Sequence, residues 1–197
     1  MRHHDARNII YRYAKRGDLN AELEKAGILD EPGVIVSLSR AADVLVDGLA
    51  SRASMPGRVA LDIKVINALG PSHFNLTLGG PLAAASTYRD HAIAHKDTGA
   101  RCAARGIRYE PLVFTTQGGC EGHAEAIIAQ IADAIAKCED RSSGDIKAEI
   151  LQKLLLSIAR SVARAVARRK KRRWTPFCHL AGRLAAEFAT LREPDDE

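Results

Sequence analysis

The sequence predicts an α/β domain with a mixed sheet, followed by a helical, basic C-terminal extension. Helical and strand periodicities alternate in the order helix, two or three strands, helix, strand, helix, which is typical of this fold class. Apolar residues make up 46% of the 197 residues and charged residues 27%, so the chain can bury a core. The polar segment 141–144 resembles a loop, and we therefore expect residues 1–140 to form the α/β domain and residues 141–197 the extension.

The first predicted element is a helix over residues 4–16. Ile9, Ile10, Tyr13 and Ala14 recur at helical spacing, and Gly17 supplies a stop. The following segment, 19–29, is ambiguous between strand and loop.

Two apolar runs, 41–46 and 59–66, are predicted strands. The segment between them, 47–57, contains Gly, Ser and Pro and is predicted to be a long hairpin loop, so the two strands should be antiparallel neighbours. Residues 67–81 include Gly-Pro and Gly-Gly-Pro and are predicted to be a loop.

The second half of the chain is mostly helical in pattern. Alanine dominates a helix over 82–105, and isoleucines follow one face of a helix over 121–138, with a strand at 107–115 between them. Asp145 is positioned to cap a long helix to about residue 169. Trp174 and Pro176 are expected to break this pattern before a short final helix over 179–191.

Charge and apolar content narrow the functional classes. The net charge of +5 is mild for a nucleic-acid-binding protein and does not identify a partner. The sequence contains no apolar run of the roughly 18 residues that a membrane span requires, and no signal-peptide pattern follows the charged start. Four widely spaced cysteines indicate reduced thiols. We expect a nuclear or cytoplasmic protein that is not secreted and does not bind membranes.

The stretch Val59–Ile66 contains the clearest candidate for a catalytic site. Alternation along a strand places Val59, Leu61, Ile63 and Val65 on one face and Asp62 with Lys64 on the other. A carboxylate there can bind a hard divalent cation, while an ammonium beside it can stabilise a deprotonating water or a phosphate.

A single carboxylate binds Mg²⁺ weakly, and Asp43 is the candidate second acid. It lies in the neighbouring predicted strand, about 4.8 Å away across a hairpin. The pattern alone is common, because Asp145-Ile146-Lys147 has the same form and is expected only to begin a helix. A solvated salt bridge between Asp62 and Lys64 is the alternative interpretation.

Several stretches in order resemble the PD-(D/E)XK, or restriction-endonuclease-like, nuclease superfamily. More narrowly, they resemble the endonuclease-like region C-terminal to the reverse transcriptase in non-LTR retrotransposon polyproteins. The stretches are Arg2-His3-His4-Asp5-Ala6-Arg7-Asn8, Glu24 with Gly27-Ile28-Leu29, Arg40-Ala41-Ala42-Asp43-Val44-Leu45-Val46, Ala60-Leu61-Asp62-Ile63-Lys64-Val65-Ile66-Asn67, Cys102 with Gly106, and Glu110-Pro111-Leu112-Val113-Phe114-Thr115-Thr116-Gln117-Gly118-Gly119. The resemblance implies a restriction-endonuclease-like core of helix, three-strand meander, helix and strand.

The resemblance also implies the roles of individual residues. Asp43 and Asp62 would be ligands of Mg²⁺ or Mn²⁺, and Lys64 would be the catalytic lysine. Glu24 would be an additional acid, and Lys96, or else His95, would be the further lysine-like group on the following helix. The sequence departs from the family pattern at Ala42, where proline is usual. It contains no reverse-transcriptase palm motif.

Three further patterns have competing interpretations. A zinc site could be assembled from His91, His95, Cys102 and His123, although their spacing matches no known zinc finger. The alternative interpretation is that they are half-buried polar residues on a core helix. Gln117, before Gly118-Gly119, is an accessory candidate at the catalytic edge, in either a phosphate-binding or a tight turn.

The basic segment is expected either to contact nucleic acid or to be a nuclear-localisation-like or solvated end. Its residues are Arg164, Arg168, Arg169, Lys170, Lys171, Arg172 and Arg173.

The sequence therefore favours a metal-dependent DNA endonuclease module derived from a retrotransposon polyprotein. DNA, or an RNA–DNA hybrid, is the expected partner, and double-strand cleavage would favour a homodimer. The alternative is a non-catalytic nucleic-acid-binding or interaction module that retains the nuclease-like fold.

Overall fold

The computed structural model describes residues 2–24, 28–29, 42–50, 56–71, 73–80 and 82–190. It has an α/β architecture with one four-stranded mixed sheet. The elements, in chain order, are α1 (Arg2–Arg16), β1 (Asn20–Leu23), β2 (Val44–Ala50), β3 (Pro56–Ile66), α2 (Phe74–Thr77), α3 (Ala83–Ala94), a 3₁₀ turn (His95–Asp97), α4 (Thr98–Ala103), β4 (Ile107–Thr115), α5 (Gly122–Cys138) and α6 (Ser143–Thr190). No described helix is long and apolar enough to cross a membrane.

The strands lie in the order β1-β2-β3-β4, with β3 in the interior of the sheet. β1 and β2 are antiparallel, as are β2 and β3, whereas β4 runs parallel to β3. A parallel neighbour requires a crossover connection, and α2, α3 and α4 supply it. This arrangement confirms the predicted antiparallel strands and resolves segment 19–29, part of which forms β1.

One face of the sheet packs against α1 and α5. The alternating β3 residues Val59, Leu61 and Ile63 are almost completely buried there, as predicted. α1 contributes Ile10 and Ala14, which are four residues apart and therefore on one side of the helix. At roughly 1.5–3 kcal/mol for each large buried side chain, these contacts fix the position of β3 in the core.

The opposite face of the sheet has two apolar clusters separated along β3. Ala60 belongs to one cluster, together with Leu45 and Cys102. Ile66 belongs to the other, together with Val113 and others from α3. Asp62 and Lys64 occupy the positions between Ala60 and Ile66 on this face, so the polar pair is enclosed by apolar contacts on both sides.

The chain divides into two compact units, residues 1–159 and 160–197. The first part of α6 belongs to the first unit, where Ile146, Ile150, Leu154 and Ile158 are buried at intervals of four residues. The predicted boundary at residues 140–141 coincides with the turn between α5 and α6. An independent extension over 141–197 stays a prediction.

The predicted hairpin loop at 47–57 was too long. β2 extends to Ala50 and β3 begins at Pro56, so both strands continue into the segment. Gly48 adopts a positive φ of 94°, and a register shift between Asp47 and Leu49 accommodates it as a bulge. A glycine within the segment therefore bends the ladder without ending it.

Other predicted boundaries also differ from the structure. The predicted loop 67–81 contains α2, and the predicted helix 82–105 is interrupted at residues 95–97. Asp145 lies inside the first turn of α6, which begins two residues earlier, so it does not occupy the cap position.

The predicted break at Trp174 and Pro176 was wrong, because α6 continues to Thr190. Alanine, leucine and arginine are frequent before and after segment 174–179, but the residues of that segment have weak helix propensity. Nothing in the local sequence explains why the helix continues through Pro176.

Candidate metal and phosphate site

Asp43 immediately precedes β2 and faces Asp62 across the antiparallel pair. Val44 pairs with Leu61, and the Asp43 backbone N–H donates to the Leu61 carbonyl at 2.9 Å, which continues the register by one residue. The Asp43 carboxylate is also held, because its Oδ2 accepts from the Ile63 N–H at 2.7 Å. Backbone pairing therefore fixes both the position and the orientation of this acid.

His3, on the first turns of α1, reaches the same carboxylate. Its Nε2 donates to Asp43 Oδ2 at 2.5 Å, although the two residues are 40 positions apart in the chain. Single ligand atoms from His3, Asp43 and Asp62 all lie within 4.8 Å of one another. This is the one such group of three or more histidine, cysteine or acidic residues among the described residues.

Asp62 is the most enclosed of these groups, with 8% of the residue exposed. Lys64 Nζ contacts Asp62 Oδ1 at 2.9 Å, and the Tyr109 hydroxyl donates to Asp62 Oδ2 at 2.9 Å. Burial raises the pKa of Asp62, and the nearby Asp43 carboxylate adds to this effect, while Lys64 and Tyr109 oppose it. The two carboxylates therefore repel each other in a site that water solvates poorly.

The charge of Lys64 is retained by its neighbours. Burial alone would lower the pKa of Lys64, but the carboxylates of Asp62 and Asp43 outweigh burial and raise it above its ordinary value. Burial also raises the pKa of Tyr109, as does the charge of Asp62, so the hydroxyl stays protonated and donates. The site thus contains a fixed cation and a fixed hydrogen-bond donor beside two acids.

Glu24, the additional acid that the resemblance implies, contacts Asp43 through its backbone. Its backbone N–H donates to the Asp43 carbonyl at 2.9 Å, and its carboxylate forms an ion pair with Arg7. Arg7 is one helical turn beyond His3 on α1. The same side of α1 therefore contacts Asp43 through a histidine and Glu24 through an arginine, and Glu24 is not in the His3-Asp43-Asp62 group.

A cavity of about 480 Å³ opens beside Asp62 and Lys64. It lies on the sheet face that α3 and α4 cover. The residues that line it are Leu29, Asp62, Lys64, Tyr88, His91, Ala92, His95, Lys96, Thr98, Arg101 and Tyr109. Lys96 and His95, the two candidates for the further lysine-like group, are both in this lining.

Gln117 is placed elsewhere. Its Nε2 donates to Asn67 Oδ1 at 2.9 Å, at the far end of β3 and β4, and it does not line the cavity. Asn67 is five positions beyond Asp62, a distance of about 16 Å along a strand. The Gly119 N–H donates to Thr115 Oγ1 at 2.8 Å, which identifies this segment as a tight turn that uses its own amides.

The ligands considered for zinc are not brought together. His91 and His95 stack with ring centroids 6.0 Å apart, and Cys102 is buried in an apolar cluster. Next to His123, the side chain of Glu121 caps α5 by accepting from the N–H groups of residues 123 and 124. The histidines of α3 thus line the cavity, whereas Cys102 supports the core.

The basic segment is only partly described. Arg164, Arg168 and Arg169 lie on α6 in the second unit and are exposed to solvent. The side chains of Lys170, Lys171, Arg172 and Arg173 lie outside the described residues.

Sequence reasoning did not assign roles to His3 and Tyr109. His3 was noted only as part of a stretch that supports the resemblance, and Tyr109 stands in an ordinary strand pattern. Residues 2–8 of α1 are mostly polar or charged, so no signal in the sequence distinguishes His3 from its neighbours.

The comparisons with known proteins add no relative. No protein-family model matches the chain, and no curated protein matches it.

Proposed function

We propose that this chain is a metal-dependent endonuclease module that hydrolyses phosphodiester bonds in DNA, of the kind found in retrotransposon polyproteins. The observation that supports it best is the convergence of Asp43, Asp62 and Lys64 beside a cavity, with His3 within 4.8 Å of both acids. Asp62 is almost fully buried and Asp43 is partly buried beside it, so removing these two like charges from water costs free energy. A cation bound between the two carboxylates would offset that cost.

The donor set fits a divalent cation. Two carboxylates suit Mg²⁺ or Mn²⁺, and water can complete the coordination of either ion. Asp43 and Asp62 would hold the ion, with His3 either binding it or orienting Asp43 through the bond at Oδ2. A bound ion would supply Lewis acidity and lower the pKa of a coordinated water.

The protein's own groups have separate tasks in this proposal. Lys64 places a positive charge where the attacked phosphate would gain negative charge, which is an electrostatic contribution available only if the group stays protonated. Tyr109 fixes the orientation of Asp62 by donating to Oδ2. His3 and the Ile63 N–H fix the orientation of Asp43.

The topology supports the same proposal. The order helix, three antiparallel strands, helices and a fourth strand parallel to the third agrees with the restriction-endonuclease-like core that the resemblance implies. Many functions can share one fold, so the proposal depends mainly on the side chains.

The test is nicking of supercoiled DNA with Mg²⁺ or Mn²⁺. We expect D62N and K64A each to abolish nicking and to leave DNA binding largely unchanged. The chain offers matched controls in the Asp145-Ile146-Lys147 triplet, because Asp145 is exposed on α6 and Lys147 pairs only with an exposed glutamate in the described contacts. D145N and K147A should therefore nick at the wild-type rate. Equal nicking by wild type, D62N and K64A would refute the assignment.

A non-catalytic nucleic-acid-binding module is the second candidate, and the exposed arginines of α6 favour it. It predicts DNA binding that weakens steeply with salt and does not respond to divalent metal. Neutralising Arg164, Arg168 and Arg172 would then reduce affinity, while D62N would change nothing measurable.

A further inference from the structure

The cavity beside Asp62 and Lys64 has properties that the cleavage chemistry alone does not require. Its volume of about 480 Å³ is within the roughly 300–1,000 Å³ of small-molecule pockets. A cavity of this size accommodates one nucleotide. Enzymes that act on an extruded base hold that base in a pocket of their own.

The charge of the cavity favours an anion. Among the described residues that line it, Lys64, Lys96 and Arg101 are cations, and Asp62 is an acid already paired with Lys64. His91 and His95 add two further nitrogen donors at the rim, with their rings stacked 6.0 Å apart. A phosphate entering the cavity would therefore meet an excess of positive charge and several N–H groups.

The cavity also presents aromatic and apolar surface. Tyr88 and Ala92 are one helical turn apart on α3 and both line it, and Tyr109 closes the side next to Asp62. Tyr88 is partly buried against the cluster that contains Ile66 and Val113, which leaves part of its ring facing the cavity. Bases stack on such rings without regard to sequence.

The backbone of the cavity wall is strained where it presents Lys96. Lys96 and Asp97 have φ values of 51° and 53°, in the left-handed region, and neither residue is glycine. Each costs of order 1–3 kcal/mol and separates α3 from α4 at this point. Strain of this kind is concentrated at functional sites, and here its result is to place an exposed lysine at the cavity.

We propose that this cavity binds a single unpaired nucleotide, with its phosphate near Lys96, Arg101 and Lys64 and its base against Tyr88. The inference rests on the proposed function only in naming the substrate class: DNA with an unpaired nucleotide next to the cleaved bond. Binding of a nucleotide to the cavity requires no catalysis and can be tested separately.

The first experiment is calorimetric titration of the full chain, in EDTA, with thymidine 5′-monophosphate, thymidine and inorganic phosphate. We expect the monophosphate to bind, and to bind more tightly than either fragment. K96A should weaken it about tenfold, and Y88L about fivefold or more, as expected for a lost charge-assisted bond and a lost stacking partner. K15A removes an exposed lysine from the end of α1 and should have no effect.

The second experiment compares nicking of two duplexes that differ by one unpaired thymidine. Wild type should cleave the duplex with the unpaired nucleotide faster, and K96A should lose that difference while K15A keeps it. No binding of the monophosphate, or equal affinity for wild type and K96A, would overturn the inference even if nicking occurs. If the monophosphate binds in a way that depends on Lys96 but the protein never nicks DNA, nucleotide binding by the cavity is supported and the proposed endonuclease activity is refuted.

Discussion

His3 Nε2 donates to Asp43 Oδ2 at 2.5 Å and thereby joins the start of the first helix to the start of β2. Residues 3 and 43 belong to separate elements, and the bond forms only once α1 has packed across the sheet. Asp43 is also bonded to the Ile63 N–H, so the histidine acts on a carboxylate that the sheet has already oriented. The first turn of α1 is therefore part of the candidate site.

Replacing His3 should weaken metal binding without unfolding the protein. H3A removes a group next to Asp43 Oδ2, and outer-shell or direct imidazole contacts of this kind typically contribute 10–100-fold in affinity, so we expect Mn²⁺ to bind about tenfold more weakly. Electron paramagnetic resonance titration of free Mn²⁺ measures this without reference to activity. H4A is the control, because His4 is exposed and adjacent; an identical Mn²⁺ affinity in H3A and H4A would exclude a role for His3.

Divalent metal should stabilise the folded chain. An ion that binds between Asp43 and Asp62 relieves the repulsion of two enclosed carboxylates, and a ligand at about 100 times its Kd adds about 2.7 kcal/mol. For a chain of this size we expect Mn²⁺ to raise Tm by about 5–10 °C, as measured by calorimetry. D145N should show the same increase and D62N none. An increase of equal size in D62N would place the ion elsewhere.

The Tyr109 hydroxyl should affect turnover more than substrate binding. Y109F keeps the ring in its cluster with Cys102 and Ile107 but removes the donor to Asp62 Oδ2. Because a hydrogen bond to a charged group contributes about 1.5–3 kcal/mol, we expect kcat to fall about tenfold with KM nearly unchanged. Y11F is the matched control on α1. A rise in KM with constant kcat would indicate that Tyr109 contacts substrate instead of positioning Asp62.

The predictable part of the site follows from short-range rules. Asp62 and Lys64 are two residues apart in a strand, so alternation alone places them on one face, and a hairpin brings Asp43 opposite Asp62. His3 and Tyr109 reach the same acids over 40 and 47 residues of sequence. Their positions depend on how α1 packs and how β4 returns parallel to β3, and neither arrangement leaves a periodic signal.

The backbone conformation of the cavity wall at His95–Asp97 could not be predicted from the sequence either. The break between α3 and α4 occurs at Lys96 and Asp97, whereas Gly99, the residue that would mark a break, lies inside α4. Tertiary contacts, such as the bond from Arg101 to the Leu29 carbonyl, override the local preference of the chain here.

The final prediction concerns acid stability and a surface network around Glu149. Its carboxylate accepts from Tyr13 at 2.7 Å, Arg141 at 3.0 Å and Lys153 at 3.1 Å, and it also pairs with Arg16. The hydrogen bonds from Tyr13, Lys153 and Arg141 lower the pKa of Glu149 to about 2, from 4.5. A carboxyl group whose pKa is lower in the folded state stabilises that state at pH values above the pKa of the unfolded chain. For Glu149 this contribution is lost as the pH falls from about 4.5 towards 2.

E149Q should therefore lower Tm by about 2 °C at neutral pH, and the difference from wild type should disappear on acidification through this window. Calorimetric melting curves across the pH range measure both effects. E125Q is the control, since Glu125 has one exposed ion pair, with Lys147, among its described contacts and such pairs contribute little. A Tm difference between wild type and E149Q that persists unchanged at low pH would show that Glu149 stabilises the fold through packing and not through its charge.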